Sequence, residues 1–422
     1  MIYDSIKKLT IPTDDELAYE FCKKHPNIRY GLDKFQEYQP ETGHYILVDD
    51  EIFRKLVLQV LIQNKKKKIR PNKNRIASVV SLLESILFIE DAKWLLHNGF
   101  LNLENGVLEI STRKLLPHSP SFYFLEVLPF SYDPYAKMPD FWFLKTISKD
   151  ERILVQEFLG NCLTEQTDHE LSLFLLGPPA SGRSTLLKCV QFVLGNRAIV
   201  LSLRDLMGSQ FNRELIVGKT LVYSTETPNY NINIIDLLSA MISGEPILVE
   251  KKYEHPYSYR PYAKYIFAMN ELPLINAHNH GLKRRILIIE THTEIPEDER
   301  NPQKRNLTKE ELAGTLNWML EGLQRLETRG NFEIPDVTKI RTEEYFSTFS
   351  LPKIVLEFIE LKCEKSQDYE IQSQLLFDNF QNWLRFKQLP NISIKKFNQI
   401  MNYLGFDQLK RSKQFWQGIK LK

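Results

Sequence analysis

Apolar and polar positions follow more than one period along the chain, and each change of period marks a change of element. From Trp94 to Ile110 the residues alternate around Asn105-Gly106, which predicts a hairpin turning at the Asn-Gly pair. Residues 153–163 place Leu154, Phe158 and Leu159 on one helical face. Residues 171–176 then form a short continuous apolar run closed by glycine, the pattern of a strand buried on both faces of a parallel sheet. Short apolar runs at 198–203, 220–224, 264–269 and 285–289 alternate with helical segments at 184–194 and 234–243, which predicts an α/β core. After a charged, proline-marked stretch at 296–306, residues 312–326 read as helix, 331–350 as a linker, and 351–422 as a small, mainly helical domain. The expected division is an α+β region over 1–150, the α/β core over 151–330 and the last domain over 351–422.

Composition narrows the class. The 422 residues, 43% hydrophobic and 26% charged, suit a globular chain, and a net charge of +2 means that any surface for a polyanion must be local. One basic run, 65–68 with Arg70, Lys73 and Arg75, reads as a loop near Pro71; it either touches phosphates or is simply solvated. Cys22, Cys162, Cys189 and Cys363 are far apart and form no C-x-x-C pair, so neither zinc nor a disulfide framework is expected. With no export or transit signal at the start and no apolar run of about 18 residues, no membrane role is expected. The expected location is intracellular, in cytoplasm or the interior of a plastid or mitochondrion, not secreted.

The chemistry begins after the first core strand. Gly177-Pro178-Pro179-Ala180-Ser181-Gly182-Arg183-Ser184-Thr185 has the spacing of a phosphate-binding loop between a strand and a helix. Its glycines let backbone N–H groups turn inward, the helix N-terminus favours an anion, and Ser184 can offer a hydroxyl to Mg²⁺. Arg183 stands where lysine is usual, a planar fork in place of a compact charge. Further on, Glu226 ends an apolar strand, where a carboxylate can orient the attacking water and help hold Mg²⁺. Asn270 ends another strand, placed to sense a γ-phosphate or to be a turn residue. Arg284 and Arg285 enter a third strand, as a finger for a neighbouring subunit's site or as solvated cations. Between the Glu226 and Asn270 strands lies a second hairpin around 252–255. It sets Lys251 and Lys252 beside aromatic residues, which suits single-stranded DNA or an ordinary exposed turn.

The order of these motifs resembles superfamily 3 DNA helicases: the glycine loop, the glutamate strand, G-E-P-x-x-V-E-K-K-Y, A-x-x-I-F-A-M-N-E-L-P and G-L-x-R-R. More closely, it is similar to the phage and plasmid primase-helicases related to the poxvirus primase-helicase. The likeness extends to Asn105-Gly-Val-Leu-Glu, Leu116-Pro-His-Ser-Pro-Ser and Tyr132-Asp-Pro-Tyr before the core. It also extends to 358–419 after it, which looks like a winged-helix-like domain with Lys395, Lys396, Lys410 and Arg411 available to DNA. The resemblance implies a P-loop NTPase core of AAA+-like fold that binds ATP with Mg²⁺ through residues 177–185. It implies catalysis by Glu226, sensing by Asn270, a trans arginine at 284 or 285, and DNA contact at Lys251 and Lys252. It further implies a homohexamer on single-stranded and replication-fork DNA, in the replication of a virus, plasmid or similar element. Asp49-Asp50 stands without a third carboxylate, so priming is expected from a separate primase. The alternative is a nucleotide-binding replication initiator or loader whose ATPase is weak or lost because of Arg183.

Overall fold

The computed structural model describes residues 12–63, 71–95, 99–225, 235–273, 280–300, 307–348, 351–389, 391–410 and 414–422. It forms two compact units, 1–137 with 308–314, and 138–307 with 315–422.

In the first unit, helices Asp14–Lys24, Asp50–Gln63 and Lys73–Ile86 bury Leu17, Phe21, Phe53, Val57, Val79 and Leu83 in a common core. Ile28 and Phe35 join them from a small antiparallel sheet, β1 (Ile28–Gly31), β2 (Lys34–Gln39) and β3 (His44–Leu47). Acids at the start of the first helix (Asp14, Asp15, Glu16) and lysines at its end (Lys23, Lys24) complement its dipole. Lys73 and Arg75 belong to a helix and not to the basic loop. Asn72 caps that helix by accepting from the Arg75 N–H at 2.8 Å, and the Arg75 guanidinium pairs with Asp14 at 3.0 Å. Residues 65–68 and Arg70 lie outside the described residues. A second sheet, β4 (Phe100–Leu103), β5 (Gly106–Glu109) and β6 (Lys114–Leu116), contains the expected hairpin, with Leu103 opposite Gly106. Trp94 does not extend that hairpin. It sits in the helix Asp91–Leu95, fully buried against Tyr45 and Tyr123, because its bulk gains more from an aromatic cluster than from an edge.

The second unit is built on β7 (Ser172–Leu176), β8 (Ala198–Val200), β9 (Leu221–Ser224), a separate hairpin β10 (Ile247–Val249) and β11 (Tyr257–Tyr259), then β12 (Lys264–Met269) and β13 (Ile286–Glu290). Five of these make one all-parallel sheet in the order β13-β7-β12-β9-β8. Parallel strands need crossover helices that cover both faces, which is why β7, β9, β12 and β13 read as unbroken apolar runs. The result is an α/β core consistent with an AAA+-like fold, flanked by helical and antiparallel regions.

Residues 331–350 are not simply a linker: Asp336–Thr348 is a helix. It packs through Thr338 and Thr342, both buried, with Tyr345 and Phe346 in the core. Thr342 Oγ1 accepts from the Ile288 N–H at 3.2 Å, and Arg341 bridges the buried Glu151 (2.7 Å) and Glu290 (3.1 Å). A helix seated on threonine and arginine shows no apolar stripe, so hydrophobic periodicity passes over it.

The last segment runs helix Leu351–Lys362, β14 (Cys363–Gln372), helix Ser373–Phe386, helix Ile394–Tyr403, β15 (Gln408–Lys410) and β16 (Gln414–Leu421). Its antiparallel sheet, ordered β14-β16-β15, closes a core of Phe358, Phe380, Trp383, Phe397 and Trp416. It is thus less purely helical than expected, because β14 is mostly polar and solvated and carries no apolar signature. Among the described residues, no helix is long and apolar enough to cross a membrane.

Candidate functional site

Crossovers in a parallel sheet leave a crevice at the carboxyl ends of the strands, where ligands of such folds bind. The loop 177–182 leaves β7 at that edge and enters the helix Arg183–Leu194. Its shape depends on small residues. Gly182 has φ +84°, and a Cβ there would lie 3.0 Å from the Phe143 backbone nitrogen. At Gly177 a Cβ would meet the Thr291 side chain at 2.7 Å and its carbonyl at 2.8 Å. Ala180 also has positive φ (+56°), and its carbonyl accepts from the Ile295 N–H at 2.9 Å. The loop is therefore held between Trp142-Phe143 on one side and the exit of β13 on the other.

Arg183 is the most constrained side chain of the loop. Nε donates to Ser181 Oγ (2.8 Å), Nη1 to the carbonyls of Leu175 (2.9 Å) and Met269, and Nη2 to the Pro178 carbonyl (2.9 Å) and Asn270 Oδ1 (3.0 Å). A guanidinium has five N–H groups, and these five bonds use all of them. Every acceptor is neutral, the residue is 6% exposed, and burial pushes its pKa below the ordinary value. Among the described residues its partners are all neutral dipoles, and a buried cation in that setting favours the arrival of an anion. The tight glycine turn, the helix N-terminus and this cation together fit a phosphate group. Ser184 is half-buried at the helix start and Thr185 exposed beside it.

Asn270, one residue past β12, meets the loop through its bond to Arg183, so the structure brings these two sequence-predicted positions together. Thr225 follows β9, the neighbour of β12. Glu226 lies outside the described residues. Among the described residues, no three His, Cys, Asp or Glu side chains come together to hold a metal.

The arginine pair lies at the opposite edge of the sheet. The Arg285 carbonyl accepts from the Ser172 N–H at 2.7 Å, at the amino end of β7, roughly 16 Å along the strand from the loop. Arg285 is largely buried and held by Glu170, with Nη2 at 2.8 Å and Nε at 3.1 Å from Oε2. Arg284 is 67% exposed, and its one ion pair among the described residues is a 3.4 Å contact to the same carboxylate. Sequence reading missed Glu170, which is 115 positions away, and the Trp142-Phe143 wall, whose part in the loop is played by a backbone nitrogen and a Cβ. The buried Lys264 also escaped notice. Its ammonium donates to the Thr164 and Tyr262 carbonyls, and burial brings its pKa down to about 8.

Lys251 and Lys252 are exposed after β10, and Tyr253 beside them is 90% exposed with φ +70°. Lys252 Nζ stands 5.0 Å from the Tyr253 ring centre, an exposed cation–aromatic pair. Lys395 and Lys396 lie in the first turn of the helix Ile394–Tyr403, and the Lys410 backbone pairs with Gln414. Arg411 lies outside the described residues.

Residues 20–149 match the family described as D5 N terminal like, and residues 175–285 match a family of unknown function, DUF5906. A protein of Acanthamoeba polyphaga mimivirus, named as a putative helicase, is 26% identical over 157 residues; the match covers 35% of this chain and 16% of that protein. Among solved structures, the A form apo structure of the NrS-1 C terminal region has a TM-score of 0.48 at 11% identity, covering 96% of this chain and 99% of that one. A second apo structure of the NrS-1 C terminal region has a TM-score of 0.48 at 12% identity, covering 96% and 98%.

Proposed function

From a chain linked to the phage and plasmid primase-helicase family, we propose an ATP-dependent DNA helicase motor that serves replication of a virus, plasmid or similar element. The observation that carries this reading is the junction of loop and Asn270 at one carboxyl edge of the parallel sheet, joined through Arg183. On this reading the core is a P-loop NTPase. Residues 177–185 cradle the ATP phosphates, with the backbone N–H groups supplied by those other than Pro178 and Pro179, and Ser184 and Glu226 would hold Mg²⁺. The ion neutralises phosphate charge when bound. Glu226 orients the water, and Asn270 registers whether a γ-phosphate is present. Arg183 supplies the charge that draws the anion in, giving up some of its neutral acceptors as it does so.

The arginines sit too far from their own loop to serve it, which supports a role across a subunit boundary in a homohexamer. Arg284 is the candidate finger, being exposed, while Arg285 with Glu170 fixes the strand entry. Lys251, Lys252 and Tyr253 would contact single-stranded DNA by charge and stacking. Residues 351–422 read as a winged-helix-like domain with DNA contacts from Lys395, Lys396, Lys410 and Arg411. A second reading, an initiator or loader with weak ATPase, is favoured by one observation, the complete engagement of Arg183. Strand separation on a forked duplex tests the first. It expects unwinding that needs hydrolysable ATP; nucleotide-dependent binding without unwinding would support the second.

A further inference from the structure

Glu170 stands where the chain turns into β7, in a left-handed conformation (φ +46°) with its N–H bonded to the Thr167 carbonyl at 3.1 Å. Residues with a side chain seldom adopt that conformation, and it persists only where the surroundings hold it. Two positions on, the Ser172 N–H (2.7 Å) and hydroxyl (3.2 Å) both donate to the Arg285 carbonyl, which ties the turn to the entry of β13. Glu170 Oε2 then takes three donors: Arg285 Nη2 at 2.8 Å, Arg285 Nε at 3.1 Å and Arg284 Nη2 at 3.4 Å. Three cations follow one another here, and their partners differ. Lys283 pairs with Glu343 at 3.1 Å, while Arg285, its side chain only 9% exposed, neutralises Glu170. Arg284 is left with a share of a carboxylate that Arg285 already neutralises, and an exposed pair of that kind is weak. Its backbone is fixed by its neighbours on both sides, and its tip is held loosely.

We propose that Glu170 is the positioning residue of the trans arginine: anchored by Arg285, its carboxylate holds Arg284 at the amino edge of the sheet and yields it to the γ-phosphate in a neighbouring copy. The proposal rests on the reading that the chain hydrolyses ATP between copies, and adds to that site a residue from a strand entry 114 positions away from the arginine. Glu170 acts through Arg284, since its own chain's loop begins roughly 16 Å off, at the other end of β7. A γ-phosphate carries more charge than Arg285 leaves on the shared carboxylate, so the guanidinium moves across when ATP is in place and returns when the phosphate leaves. Simple anchorage of the strand would touch stability alone, whereas positioning touches turnover in the next copy's site.

The test mixes full-length variants and measures ATP turnover. Glu170→Gln keeps a carbonyl acceptor for Arg285 but removes the charge that holds the two guanidinium groups. Its turnover should fall roughly tenfold or more, since a misplacement of about 1 Å can cost about a hundredfold. Its nucleotide affinity should stay near the parent's, which also shows that it folds; Glu170→Asp, still charged but one methylene shorter, repeats the test should the amide fail to fold. Mixed with Glu226→Gln chains, which lack the catalytic carboxylate but keep Glu170 and Arg284, each Glu170→Gln chain should regain several-fold of its turnover. Arg284→Ala sets the standard: alone it should lose roughly a thousandfold or more, and beside Glu226→Gln it should recover. Recovery of Arg284→Ala without recovery of Glu170→Gln would overturn the proposal, as would parental turnover in Glu170→Gln alone. If neither variant recovers, the trans reading itself fails, and the proposal with it.

Discussion

The five hydrogen bonds of Arg183 tie the loop, the end of β7 and the end of β12 into one knot, so substitution there tests both stability and chemistry. A lysine supplies three N–H groups for five acceptors, so at least two of them lose their partner. Arg183→Lys is expected to lower the unfolding free energy by about 1–3 kcal/mol, measured by urea titration. The same change frees Asn270 and restores a compact charge that can follow the leaving group. Turnover per folded molecule should rise roughly tenfold, about 1.4 kcal/mol of barrier. A slower variant would mean that the site works because of arginine.

Lys264 gives a second residue-scale test. Its folded pKa, about 8, lies below the ordinary lysine value, so between the two the unfolded chain binds more protons than the folded one. Stability contributed by this group therefore rises with pH above 8, by roughly 3 kcal/mol in all at 1.36 kcal/mol per pH unit. Tyrosine ionisation in the unfolded chain opposes it near pH 10, since burial raises the pKa of Tyr223 and Tyr265 in the fold. From pH 8 to 10 the denaturant midpoint of the parent should climb relative to that of Lys264→Met, in which only the opposing tyrosine effect is left. Matching profiles for the two proteins would refute the assignment.

At the scale of elements, what was legible depended on whether a segment's partners are apolar. The strands of the parallel sheet and the loop after β7 could be read because continuous burial and fixed glycine spacing leave a local mark. The helix Asp336–Thr348 could not, since Thr338, Thr342 and Arg341 do its docking against groups 50 or more positions away. For the same reason Arg285 looked unpartnered until Glu170 was found across the sheet edge. Arg341→Ala tests the docking, because it leaves the buried Glu151 without its cation. A loss of about 3–5 kcal/mol is expected, far above that of a surface pair; a loss below about 1 kcal/mol would show the bridge to be ordinary. On the exposed hairpin, Lys251→Ala with Lys252→Ala should weaken single-stranded DNA binding and reduce its salt slope by about 1.4. Nucleotide affinity should stay within a few-fold, as the hairpin is a separate sheet from the one that carries the loop. An unchanged salt slope would return these lysines to plain solvation.

On the scale of the whole molecule, the arrangement is a core whose loop and Asn270 share one edge of the parallel sheet while the exposed Arg284 stands at the other. On the proposed reading, such a molecule would complete its site only beside a second copy, and the motor would couple hydrolysis to DNA held by several copies at once. The central claim is that coupling. Single-turnover ATP hydrolysis, measured with and without single-stranded DNA under conditions of saturating nucleotide, tests it most directly. The account predicts at least a tenfold faster step with DNA, equivalent to about 1.4 kcal/mol of barrier, and its disappearance in Glu226→Gln with ATP still bound. A slow rate that is the same with and without DNA would contradict the motor and leave a nucleotide-binding initiator or loader.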